Sequence, residues 1–175
     1  MSSILPNISD DHVQIRPFTH NDVAAHVAGD DLEQIKWLSG GPSTIAGTTS
    51  WIDRNLESWE NGGPVFNFAV IDMSSGQLAG MVEANLDWQR LDGLEEGDAN
   101  VSYALYPQFR GQGLMAHAFT LLEGFLRERG VKRSAIRVEP DNVASLAVPL
   151  KRGYVEGDAI TNHDGTHMRL FRKEL

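Results

Sequence analysis

The clearest period along the chain is helical. Met115, Ala118, Phe119, Leu122, Phe125 and Leu126 fall on one face of a helix from about Leu114 to Arg129, which Gly130 ends. A second helix is expected over Thr48 to Glu60, with Trp51, Ile52, Leu56 and Trp59 at helical spacing. A third is expected over Asn142 to Arg152, capped by Asn142. Pro149 falls inside it and removes the bond to the Ser145 carbonyl, so a kink or loosened turn is expected there. Two polar, partly amphipathic segments, His20 to Gly29 and Leu32 to Leu38, precede the break at Gly40-Gly41-Pro42.

Elsewhere the period is that of strands. Val13 to Phe18 alternates and is stopped by Pro17. Phe66 to Ile71 and Gln77 to Leu86 form a hairpin across Ser74-Ser75-Gly76. Asn100 to Leu105 and Ser134 to Glu139 are further strands. Tyr154 to Ile160 and His167 to Phe171 close the chain as a hairpin across Asn162 to Gly165. This order predicts a mixed α/β (α+β) domain with mostly antiparallel neighbours and one parallel crossover in its second half. Residues 1–175 read as a single domain, since no linker, repeat or low-complexity tract appears.

Composition narrows the chemistry. Cysteine is absent, which removes disulfides, thiolate metal sites and a cysteine nucleophile; no metal site is expected. No G-x-S-x-G elbow is present either, so an acyl transfer would run by direct attack of the acceptor. The net charge of −9 argues against nucleic acid and anionic membranes as partners; it would either help to draw in a cationic acceptor such as an amine or simply keep the protein soluble. Ile4-Leu5 is followed at once by Pro6 and by Asp10-Asp11, unlike a signal peptide, and no apolar run has the length of a membrane span. A soluble, cytoplasmic protein is the expectation.

The densest chemical signal lies between Tyr103 and Leu114. A strand ends, a loop containing Gly111 and Gly113 follows, and a long helix begins at once. Such a loop presents backbone N–H groups at a helix N-terminus, where about half a positive charge resides. Without a Cβ on either glycine, an anion can approach the backbone closely. No Walker A lysine is present. Gly111-Gln112-Gly113-Leu114-Met115-Ala116 does fit the dinucleotide fingerprint G-x-G-x-x-A, and Glu139 closes the next strand. That reading fails because Pro107 to Arg110 separates strand from glycine where a tight turn is needed. The motif also sits too late for a doubly wound sheet, and a hairpin precedes it.

Gln108-x-x-Gly111-x-Gly113 resembles instead the Q/R-x-x-G-x-G/A acetyl-CoA motif of the GNAT acetyltransferase superfamily. Tyr103-x-Leu105-x-Pro107 resembles its cofactor-facing strand. Asp141 to Val148 followed by Gly153-Tyr154 resembles the D-N-x-A-S-x-A-V…G-F block of the RimJ/RimL-type N-terminal acetyltransferases. The likeness spans nearly the whole chain and is most specific from Asn100 to Tyr154. It implies a GNAT-like, mostly antiparallel twisted sheet flanked by helices. It also implies acetyl-CoA as co-substrate and a primary amine, either a protein N-terminus or a small molecule, as acceptor.

Residue by residue, the family pattern implies that backbone groups of Ala104 and Leu105 pair with the pantetheine arm. Gln108, Phe109, Arg110, Gly111, Gln112, Gly113 and Leu114 would hold the pyrophosphate, and Asn142 would bond the arm. Ser145 would stand near the thioester sulfur, where a hydroxyl can protonate the leaving thiolate. Read by themselves, Asn142 is a plain N-cap and Ser145 a first-turn hydroxyl.

Two departures concern the base that must deprotonate the amine. Asn100 stands where many relatives carry a glutamate, and Thr161 or Asn162 stands where RimL-type enzymes carry another. Glu83, Asp98, His163 and His167 are all candidates by chemistry alone, and Glu83 is the one carried forward as catalytic. The acid-rich loop Asp87 to Asp98 reads as a solvated loop or a greeting surface for a cationic acceptor. A non-catalytic acyl-CoA-binding or sensor module, or a transferase using a longer donor such as succinyl-CoA, is the alternative. A homodimer is compatible with either reading.

Overall fold

The computed structural model describes residues 4–175. Their contacts divide into two compact units, one of residues up to Glu83 with Tyr103–Leu122, the other of Ala84–Ser102 with Glu123–Leu175.

In the first unit, β1 (Ile8–Ser9) turns back onto β2 (Val13–Pro17) in antiparallel register, Ile8 opposite Ile15. Sequence patterning missed β1 because its two residues are too few to show a period. The turn is made by Asp10, whose Oδ1 accepts the backbone N–H groups of His12 and Val13, each at 2.8 Å. β2 pairs antiparallel with β3 (Val65–Asp72), and β4 (Leu78–Asn85) follows across a turn closed by the Gly76 N–H to the Asp72 carbonyl. The polar segments become α1 (Val23–Gly29) and the single turn α2 (Leu32–Gln34), which continues as a wider π-turn over Ile35–Ser39. α3 (Ile45–Glu60) starts earlier than the tryptophan periodicity indicates. Thr44 supplies the reason, since its side chain accepts the Gly47 N–H at 3.0 Å. Val13, Ile15, Ile52, Phe66, Phe68 and Val70 are buried here, and Trp59 packs on Phe66 and Phe68 with ring centroids 4.9 and 5.0 Å away.

In the second unit, β5 (Asp98–Leu105, whose last residues belong to the first unit) pairs parallel with β6 (Arg133–Val138), Asp98 opposite Arg133. α4 (Leu114–Glu128) is the crossover between them, as the strand-helix-strand pattern requires. β7 (Val155–Glu156), β8 (Ile160–Thr161) and β9 (His167–Glu174) complete the chain, and β9 is antiparallel to β6, β7 and β8. The expected Tyr154 to Ile160 strand is thus two short strands, parted where the Gly157 N–H turns to the Leu170 carbonyl at 2.8 Å.

α5 (Val143–Lys151) continues as one helix through Pro149, where a kink or loosened turn is expected. The proline lies in the last turn, and its carbonyl accepts the N–H groups of Arg152 and Tyr154, both at 3.2 Å. The one lost donor is therefore offset by a well-bonded helix end, with Gly153 at φ 79°. The mixed, mostly antiparallel α/β architecture is the one that patterning predicts. Among the described residues, no helix is long and apolar enough to cross a membrane.

Candidate acetyl-CoA loop and catalytic residues

The loop after β5 is anchored from below by Tyr106, which is 1% exposed. Its N–H donates to the Ala79 carbonyl at 2.9 Å, and its hydroxyl lies 2.7 Å from Nδ1 of His26. Burial holds the His26 imidazole below its ordinary pKa, outweighing Asp30 and Asp22. Burial likewise raises the Tyr106 phenol, helped by Asp22 and Asp30. Gly29 makes room for this ring: a Cβ there would meet Tyr106 carbons at 2.5 Å. His26 also stacks on Trp51, centroids 4.9 Å apart.

From that anchor the chain makes one tight turn over Pro107–Phe109, with the Phe109 N–H bonded to the Tyr106 carbonyl at 2.9 Å. The side chains of Phe109 and Leu114 are buried, so only their backbones face outward chemistry. Arg110 is occupied: its Nε donates to the Leu105 carbonyl at 2.9 Å and its Nη1 to Asp31 at 2.8 Å. Gln112 Nε2 donates back to the Gln108 carbonyl at 3.0 Å. Gly111 and Gly113 take φ 74° and 77°, the left-handed region, and an added Cβ at either would meet nothing within 4 Å. An exposed backbone therefore leads into the α4 N-terminus, whose first N–H groups have no partner within the helix. This is chemistry suited to a pyrophosphate, and the residues present fit it.

Ala104 and Leu105 stand just before this loop. Ala104 is buried, and its carbonyl passes so close to Gly80 on β4 that any Cβ there would collide with it. The Leu105 carbonyl already accepts from Arg110.

Glu83, on β4 in the same unit, has Asn67 of β3 as its partner, whose Nδ2 donates to Oε2 at 2.9 Å. Burial raises the Glu83 carboxyl above its ordinary range, and the Asn67 hydrogen bond only partly opposes this. The sequence signal that marks Asn67 is a polar residue between Phe66 and Phe68 in an otherwise apolar strand.

The second unit holds the remaining candidates. The Asn142 side chain caps α5, accepting the Ser145 N–H at 3.3 Å, and Ser145 sits half-buried in the first turn. Asn100 accepts from Arg137 Nε at 3.0 Å, so its amide is already engaged. Asp98 is no free base. Its buried carboxylate takes Arg133 Nε at 2.6 Å, Arg172 Nε at 3.0 Å and the Glu95 N–H at 2.9 Å. Burial pushes Asp98 up, but these bonds together hold it below the usual carboxylate range. His163 is exposed and bonded to Asp92 at 2.6 Å, while His167 Nδ1 is 3.1 Å from the Thr161 hydroxyl. Asp92 and Asp98 of the loop from Asp87 to Asp98 are thus committed to internal pairs, and Asp87 and Glu95 also pair with arginines, Asp87 with Arg90 and Glu95 with Arg133 and Arg172.

Residues 12–155 match the family model of the acetyltransferase (GNAT) domain. Among curated proteins none matches the chain. Solved structures do. The acetyl transferase of Salmonella typhimurium that modifies the N-terminal serine of ribosomal protein L7/L12 superposes with TM-score 0.79 at 18% identity, over 97% of this chain and 99% of that one. The microcin C7 self-immunity acetyltransferase MccE, in complex with acetyl-CoA and AMP, gives 0.78 at 18%, over 95% and 94%. RimJ of Mycobacterium smegmatis, in complex with CoA-disulfide, gives 0.76 at 16%, over 97% and 86%. At these identities the likeness is one of fold, and it is the fold of the RimJ/RimL-type enzymes. With the family model covering most of its length, the chain belongs to the GNAT acetyltransferase family.

Proposed function

We propose that this protein transfers an acetyl group from acetyl-CoA directly to a primary amine, either a protein N-terminus or a small-molecule amine. The observation that carries the reading is the Gln108–Gly113 backbone, with two open left-handed glycines leading into α4. In this reading Gln108 to Leu114 hold the pyrophosphate through backbone groups, and Arg110 braces the loop. The matching family model runs from residue 12 to 155, which supports one acetyltransferase domain.

An ammonium has no lone pair, so the acceptor must first lose a proton. Glu83 takes it, and its raised pKa makes it a stronger base than an exposed glutamate. The nitrogen then attacks the thioester carbonyl, and a C–N bond replaces the C–S bond. Ser145, in the role implied by the family pattern, gives its proton to the departing sulfur and takes back the second proton that the nitrogen must lose to become a neutral amide. Asn142 bonds the cofactor arm on the same pattern. Orientation supplies much of the rate, and N–H groups of β5 polarise the carbonyl.

The test is thiol release from acetyl-CoA with a panel of amines: a peptide with N-terminal serine, a polyamine, an aminoglycoside and amino-acid derivatives. Mass spectrometry identifies the acetylated product. If CoA saturates the protein yet no amine releases thiol, the protein is a binding or sensor module, the alternative favoured by Asn100. Competition with succinyl-CoA tests the donor.

A further inference from the structure

Asn67 is the one polar residue of β3 that lies wholly inside the protein, at 0% exposure, with Phe66 and Phe68 on either side. Its backbone carbonyl takes the Trp59 Nε1–H at 3.1 Å. Its side chain makes one bond, from Nδ2 to Glu83, while Oδ1 is buried without a hydrogen-bond partner. A buried amide with one unmet acceptor is a poor device for stability, because the unmet group loses its water and gains nothing. An apolar residue would fill a strand interior better. The orientation of the amide has a cause in its neighbour: an ionised carboxylate accepts only, so Nδ2 must face it and Oδ1 must turn away.

We propose that Asn67 is a positioning residue for Glu83, holding the carboxylate in one rotamer through Nδ2 and setting its basicity. This rests on the reading of Glu83 as the base. Local rules of packing are broken in proteins chiefly where function requires it, and the unmet Oδ1 beside Glu83 is such a place. Because the bond favours the ionised form, its loss raises the Glu83 midpoint further and moves the acid limb of the rate profile to higher pH.

The experiment needs no acceptor. In the full-length wild-type protein, the Asn67 side-chain NH2 resonance is followed against pH alongside the Glu83 carboxyl carbon, assigned with Glu83→Gln. The two are expected to titrate with one midpoint. In Asn67→Leu and Asn67→Ala the Glu83 midpoint shifts upward, while CoA affinity changes less than about twofold. With an acceptor from the amine panel, kcat falls about tenfold with KM for acetyl-CoA unchanged. An Asn67 amide that ignores the Glu83 titration in the wild type overturns the proposal, whether or not the variants fold. So does an unmoved Glu83 midpoint in a folded variant. If Glu83→Gln keeps full transferase activity while the shared midpoint stands, it is the assignment of Glu83 as base that fails.

Discussion

The guanidinium of Arg110 reaches the carboxylate of Asp31 at 2.8 Å, so a residue of the proposed pyrophosphate loop is spoken for by the turn before the π-segment. Arg110 therefore acts by shape. Asp31→Asn should weaken CoA binding about threefold, as the loop loses a charge-assisted brace. If Arg110 instead met the pyrophosphate directly, releasing it from Asp31 would tighten binding. Titration calorimetry with CoA separates the two by sign alone.

Gly111→Ala and Gly113→Ala place a methyl group on an exposed loop backbone and force an L-residue into the left-handed region. That conformation costs about 1–2 kcal/mol per residue. The methyl itself meets no protein atom within 4 Å, so the melting temperature should move little beyond this strain. CoA affinity should fall by about tenfold or more. Equal affinity in both variants would remove the loop from the cofactor site.

Glu83→Gln separates activity from stability. If Glu83 is the base, kcat falls by about 10²–10⁴ and the acid limb of the profile disappears. Stability should move the other way. The folded carboxyl has a raised pKa, so its contribution is fully present below the unfolded value and is lost as pH rises through the folded one. Above that window the ionised, poorly hydrated carboxylate destabilises the fold, and glutamine removes the charge. Thermal melts should show Glu83→Gln gaining on the wild type as pH rises.

Asp98 carries the opposite sign. Arg133 and Arg172 overcome its burial and hold it below the usual carboxylate range. Its stabilisation is present above the unfolded pKa and is lost as pH falls through the folded one. Asp98→Asn leaves two arginines facing a neutral amide, and should cost about 3–5 kcal/mol at neutral pH. Acid denaturation followed by circular dichroism should then show a flatter pH dependence in the variant than in the wild type.

Much of this was legible beforehand. The helical period from Met115 to Leu126, the alternation of Val13 to Pro17 and the Gly111/Gly113 spacing are local signals, and local backbone physics was enough to read them. Element ends were less legible where a cap lay outside the period, as with Thr44 before α3. The effect of Pro149 depends on which turn it occupies, and only the bonds to its carbonyl place it in the last one.

By itself, then, the sequence determined the strand and helix order and the Gln108–Gly113 motif, because each depends on neighbours in the chain. The tertiary structure decided which charged and polar groups are free to act. Asp98 is lost to two arginines, Arg110 to Asp31 and Asn100 to Arg137, across separations of 35 to 79 residues. Glu83 acquires Asn67 across the β3–β4 turn. Burial and pairing at such distances leave no period in the chain, and they are what set the chemistry of a carboxylate.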